Sequence, residues 1–177
     1  MTRSAEHLDQ IKTALNDSWL PQVYVERVLK SRTRAYEFPK LPLNAKIEIQ
    51  HTLLGIELKA GRRRMLCPDL ATARYLSVFA RIGCQRVAVP YDITRISLIA
   101  DELESSWHRM LLVSDEITSG RNHTFSARVR RQIIAKVREE IAEVGAGPRV
   151  PQFRQSTKQR TEPRKVKAGS SHKNLIV

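Results

Sequence analysis

AKIEIQHTLLGIELKAGRRRMLC, residues 45–67, is the stretch on which the fold turns. Ile47 and Ile49 alternate with Glu48 and Gln50; Leu54, Ile56 and Leu58 alternate with Gly55, Glu57 and Lys59. A period of two marks strands buried on one face. Ala60 and Gly61 supply a tight turn, so residues 54–67 are expected as a β-hairpin whose tip gathers Lys59, Arg62, Arg63 and Arg64.

On the C-terminal side of this hairpin, Pro68 stops the strand and Asp69 is placed to cap a helix. Its apolar face is Leu70, Ala73, Leu76, Phe79 and Ala80, and Gly83 ends it. Val87, Ala88 and Val89 form a short buried strand up to Pro90. Asp92 or Thr94 then caps a long helix with Ile96, Ile99, Ala100, Leu103, Trp107, Met110 and Leu111 on one stripe. Residues 115–124 read as a loop, and Phe125, Val129, Ile133, Val137, Ile141 and Val144 as a last helix.

On the N-terminal side, Leu8, Ile11 and Leu15 mark a short amphipathic helix that Ser4 can cap. A second helix begins around Pro21, carries Val23, Val28 and Leu29 inward, and is expected to end before Pro39. The whole is an α+β plan with a small three- or four-stranded sheet between amphipathic helices. The strand, helix, strand unit of residues 63–89 forms a parallel pair if its crossover is right-handed, or else leaves an antiparallel edge. The expected organisation is one α+β domain over 1–144, divided into a helical part (1–38), a mixed β/α core (45–112) and a C-terminal helix (124–144). A basic tail over 145–177, polar and poor in large apolar residues, is expected to be disordered when free.

Of 177 residues, 31 are Lys or Arg and 18 Asp or Glu, a net charge of +13. From residue 145 onward eight basic residues face Glu162 alone, so the tail holds +7 and the folded part +6. Such an excess attracts polyanions before any specific contact forms. No apolar run is long enough to span a membrane. Residues 1–10 lack an apolar stretch behind Arg3 and carry Glu6 and Asp9, so the expectation is a cytoplasmic protein. Cys67 and Cys84 lie outside any CxxC pattern and are expected to be packed thiols, although Cys67 precedes a helix start.

The function expected from these features is non-enzymatic association with nucleic acid, RNA before DNA, through the phosphate backbone. Its candidate contacts are Lys59, Arg62, Arg63 and Arg64 on the hairpin and Arg128, Arg131 and Arg138 on the last helix. Arg154, Lys158, Arg160, Arg164, Lys165 and Lys167 add the tail. Tyr24, Tyr36, Tyr75, Tyr91 and Phe153 are the conceivable stacking rings, whereas Phe79 and Trp107 sit on core stripes. A second expectation is a protein-interaction adaptor whose basic tail docks on an acidic partner surface. No cofactor, metal motif, phosphate loop or nucleophile elbow is written in the chain, and Glu104 with His108 at i, i+4 is expected as a surface pair.

Glu57 and Lys59, two apart on one strand, share a face, and a carboxylate with a lysine there can hold a metal and position a water. This loosely resembles the E-x-K element of the PD-(D/E)xK nuclease superfamily, whose helix, three strands, helix, strand order residues 20–90 approximate. The resemblance implies metal-dependent nuclease activity through Glu57 and Lys59. The aspartate that the family carries on a preceding strand is missing: Glu48 is the substitute, and Asp69 falls beyond the next strand.

Overall fold

A computed structural model describes residues 3–42 and 44–147 of the chain, with the side chains of residues 3–5 not described. The hairpin is present as β3 (Gly55–Ala60) and β4 (Arg63–Cys67), with Ala60 opposite Arg63 across the two-residue turn Gly61–Arg62. β2 (Ile47–Thr52) pairs with β3 in the same way, Thr52 facing Gly55 across Leu53 and Leu54. Leu54 therefore belongs to a turn instead of opening the strand. Three antiparallel strands in the order β2-β3-β4 result.

Helix α3 (Leu70–Ile82) packs on one face of this meander. Leu58, Ala60, Met65 and Cys67 are buried beneath it, as alternation requires. Asp69 caps α3 by accepting from Thr72 N at 2.7 Å, and Gly83 ends it with φ +82°. Arg138, from the last helix, lies over that glycine and donates from Nε to the carbonyl of Ile82 at 2.9 Å. A cation bonded to a helix's last carbonyls offsets both an orphan acceptor and the negative end of the dipole.

The N-terminal region departs from the expectation of helix up to Pro39. α1 (Arg3–Leu15) forms, and Ser4 lies inside it, not at its cap. A short 3-10 turn and α2 (Leu20–Val23) follow, and the chain continues as a π-helical turn over Tyr24–Leu29. The helix stops there, and Thr33–Glu37 becomes a strand, β1. Its partner is β5 (Arg86–Pro90), antiparallel, with Ala35 opposite Ala88. β5 is buried from Val87 onward, so its backbone groups must be satisfied inside the protein. β1 satisfies one edge. On the other, Ala88 N–H donates to the Tyr24 hydroxyl at 2.8 Å and the Tyr75 hydroxyl donates to Ala88 O at 2.5 Å. The parallel pairing considered for residues 63–89 is thus replaced by an antiparallel pair drawn from distant sequence, and among the described residues five strands form two sheets.

α4 (Ile93–Ile117) is capped by Asp92, which accepts from Thr94 N at 3.0 Å. It runs through Asp115, against the expectation of a loop there, because Val113 and Ile117 still pack on the core and Asp115 meets Arg130 of the next helix at 2.5 Å. α5 (His123–Val144) starts at Asn122, which accepts from Phe125 N, and buries Val129, Ile133, Val137 and Ile141. The Tyr24 hydroxyl, which accepts from Ala88 N–H, donates in turn to Gly145 O at 2.8 Å, so one side chain ties β5 to the end of α5. The architecture is α+β, and among the described residues no helix is long and apolar enough to cross a membrane. The expected tail beyond residue 147 lies outside the described residues.

Candidate nucleic-acid interface

The face of the β2-β3-β4 sheet turned away from α3 can be read as a grid. Registers place Gln50, Glu57 and Leu66 side by side in one row and Glu48, Lys59 and Arg64 in the next. One end of the face is the Gly61–Arg62 turn, where Arg62, Arg63 and Arg64 are all exposed. The other end is the Leu53–Leu54 turn, where Leu53 is 106% and Leu54 80% exposed, with Leu66 (66%) beside Gly55.

Charge along the grid is partly cancelled. Lys46 pairs with Glu48 at 2.5 Å, which draws the Glu48 carboxyl below its ordinary range, first by the hydrogen bond and then by the charge. Arg64 Nη1 lies 3.6 Å from Glu57 Oε2. Arg62 and Arg63 have no acidic partner among the described residues, so they form the free positive charge of the hairpin, with half-buried Lys59 behind them. A phosphate meeting them gains charge-assisted bonds without first breaking an ion pair.

Glu57 combines two properties that rarely coincide. It is 7% exposed although it sits on the face turned away from α3, and among the described residues its Oε2 has no hydrogen-bond partner. Central position explains the burial: Gln50, Lys59, Arg64 and Leu66 crowd it from its own strand and both neighbours. A buried acceptor left unpaired costs about 1–3 kcal/mol, more when charged. The alternation of residues 55–60 assigns Glu57 to the outer face; its burial there needs the register of three strands, which sequence alone does not supply.

On α5 the expected cations separate. Arg128 and Arg131 are exposed, Arg131 leaning back on Ala127 O at 3.3 Å. Arg138 does not face outward with them: it is half-buried against Ile82 and Gly83. Another cation of this helix, Arg130, is engaged by Asp115. Arg154, Lys158, Arg160, Arg164, Lys165 and Lys167 fall outside the described residues, as does Phe153.

Of the candidate stacking rings, Tyr24 and Tyr75 are buried hydrogen-bonding posts, and burial pushes the Tyr24 hydroxyl up to about 12 and that of Tyr75 well above its ordinary value. Tyr36 is half-buried edge-on to Phe38. Tyr91 is 41% exposed, with the Arg32 guanidinium 5.3 Å from its ring centre. Phe79 and Trp107 are core, as expected. Both thiols are buried; burial raises Cys84 to about 12 and raises Cys67 as well, so the helix start after Cys67 does not activate it.

For the nuclease arrangement, Glu57 and Lys59 do share the outer face, but Arg64 adjoins both, and Glu48 is engaged by Lys46. Among the described residues no group of three or more His, Cys, Asp or Glu side chains is placed to hold a metal ion. Glu104 and His108 do not pair through their side chains: His108 Nδ1 contacts Glu104 O, and the Glu104 carboxylate takes Arg74 at 2.6 Å. A shallow cleft of about 350 Å³ beside α4 is lined by Asp17, Asp101 and Glu102 together with Arg109, the wrong charge for a polyanion. Comparison with protein-family models, curated proteins and solved structures finds no match to this chain.

Proposed function

We propose that the chain is a non-enzymatic, cytoplasmic nucleic-acid-binding protein, RNA before DNA, whose β2-β3-β4 meander meets the phosphate backbone while the basic segment after residue 147 adds electrostatic reach. The observation that carries this reading is the pair Arg62 and Arg63, exposed at a two-residue turn without an acidic partner among the described residues. Short turns between paired strands hold their side chains at a fixed spacing, so little ordering entropy is lost on contact. A single strand can lie along an exposed three-stranded face with its bases unpaired, which favours RNA with unpaired segments.

The test is a salt titration of binding to a single-stranded RNA. Several phosphate contacts give a steep fall of log affinity with log salt, and truncation after Gly147 makes it shallower. A flat salt dependence would remove the proposal. A second reading, a protein-docking adaptor, draws support from Leu53 and Leu54, since a contiguous exposed apolar tip is a feature of interaction sites. That reading expects a stoichiometric protein partner that survives nuclease treatment and is lost with Leu53→Ser and Leu54→Ser.

A further inference from the structure

Glu57 is a carboxylate more than nine-tenths buried on the sheet face turned away from α3, with Oε2 unpartnered among the described residues. A carboxylate only accepts hydrogen bonds, so whatever satisfies it must bring N–H or O–H donors. Arg64 does not supply one, because at 3.6 Å its Nη1 lies beyond hydrogen-bonding distance. The surroundings select among other donors. Lys59, two residues along the strand and roughly 7 Å away, and Arg64 across from it repel a metal ion, an ammonium or a second guanidinium. The same two cations favour a ligand that carries negative charge next to a neutral donor pair.

A nucleotide has that combination. Among the bases, guanine alone presents two adjacent donors, N1–H and the N2 amino group, on its Watson–Crick edge, matching the two oxygens of a carboxylate. Adenine and cytosine offer one amino group beside an acceptor nitrogen that a carboxylate repels, and uracil offers one N–H between two carbonyls. Leu66, in the same row as Glu57 and 66% exposed, provides an apolar surface for the ring.

Resting on the nucleic-acid reading above, we propose that the outer face of the β2-β3-β4 sheet binds one unpaired guanine of an RNA strand, with Glu57 accepting from N1–H and N2–H. Leu66 lies against the base, and Lys59 on the same face together with Arg62 at the turn holds the adjoining phosphates, while Arg63, set by alternation on the other face with Met65 and Cys67, adds its charge from the hairpin end. Arg64 then turns from Glu57 to the strand, and the base replaces it as the carboxylate's partner. Phosphate binding and base recognition are thereby linked: a strand that draws Arg64 away without supplying N–H donors leaves Glu57 bare.

The experiment uses the full chain and fluorescence anisotropy at one low salt concentration, with three labelled eight-nucleotide RNAs: all uridine, one central guanosine, and the same with inosine, which keeps N1–H and lacks the N2 amino group. The guanosine strand is expected to bind about tenfold more tightly than the uridine strand, in line with one bidentate base contact, and the inosine strand to fall between them. Glu57→Gln is expected to bring the guanosine-to-uridine ratio close to one. Equal binding of guanosine and uridine strands by the unaltered protein overturns this inference while leaving the phosphate reading standing; no binding of any strand overturns both. An unchanged ratio in a folded Glu57→Gln protein also overturns it, and the inosine strand decides the matter without a variant should that protein fail to fold.

Discussion

The two turns of the meander are both two residues long and both join strands paired in register, yet they end in opposite chemistries. Gly61–Arg62 carries guanidinium groups; Leu53–Leu54 carries the most exposed aliphatic side chains in the described structure. Since both join antiparallel neighbours in one sheet, what differs is what each end is offered to. Exposed arginines are solvated at little cost, whereas two leucines this exposed hide little apolar area from water and contribute little to folding. The leucine end is therefore an expense unless something covers it, and the arginine end is not.

The largest effect should separate two leucines of the same meander. Leu58, on β3, is fully buried, so Leu58→Ala is expected to cost about 2–5 kcal/mol in urea denaturation. Leu54→Ala should stay within about 0.5 kcal/mol. A comparable loss at Leu54 would mean that the turn is packed against the fold in solution and is not a free surface.

Next comes the charge contrast. Arg62→Glu with Arg63→Glu is expected to weaken RNA binding at least tenfold, about 1.4 kcal/mol, and to reduce the salt slope by roughly 1.4 if two phosphate contacts are lost. Leu53→Ser with Leu54→Ser should leave that slope alone. If both double variants lowered affinity equally, the two ends would be acting as one surface and the contrast would fail.

Gly61 sharpens the comparison at the level of backbone. With φ +60° it occupies the left-handed region, and a Cβ there would lie at ordinary contact distances of 3.5 Å from Pro42 and 3.7 Å from Ala45. Gly61→Ala should then cost about 1 kcal/mol from conformation alone and lower RNA binding in proportion to the loosened turn. Calorimetry and anisotropy on the same variant test both halves.

Much of the meander is legible in the sequence because alternation and a glycine turn are local signals. α3 is legible for the same reason, from Asp69 to Gly83. What escapes is non-local. Residues 33–37 read as the end of a helix because nothing nearby says that β5, some fifty residues on, needs an antiparallel partner. Asp115 reads as loop since its stabilising contact, Arg130, belongs to another helix. Helical spacing groups Arg138 with the outward cations, although the carbonyl of Ile82 claims it. The candidate site follows this division: its arginines are visible as a run, whereas the burial of Glu57 and the exposure of Leu53 depend on strand register.

The smallest effect concerns pH, and it too belongs to one end only. Lys46 and Glu48, near the arginine turn, shift each other in opposite directions: the shared hydrogen bond, then the charge, raises the Lys46 ammonium and lowers the Glu48 carboxyl. A carboxyl lowered in the folded state contributes stability that is present above its unfolded value, about 4.3, and is lost as pH falls through the folded one. A raised lysine contributes below its unfolded value, about 10.4, and loses that contribution as pH rises through the folded one. Lys46 is exposed and Glu48 half-buried at the sheet surface, so solvent still screens the gain and the pair should matter little. Glu48→Gln is expected to lower the melting temperature slightly at neutral pH, with the difference from the unaltered protein vanishing toward both acid and alkaline extremes. Leu53→Ser with Leu54→Ser, which removes no titrating group, should leave the pH dependence of melting unchanged. A difference for Glu48→Gln that persisted at acid pH, where the carboxyl is neutral in both folded and unfolded chains, would mean that Glu48 supports the strand by packing, and the electrostatic distinction between the two turns would then begin only at Arg62.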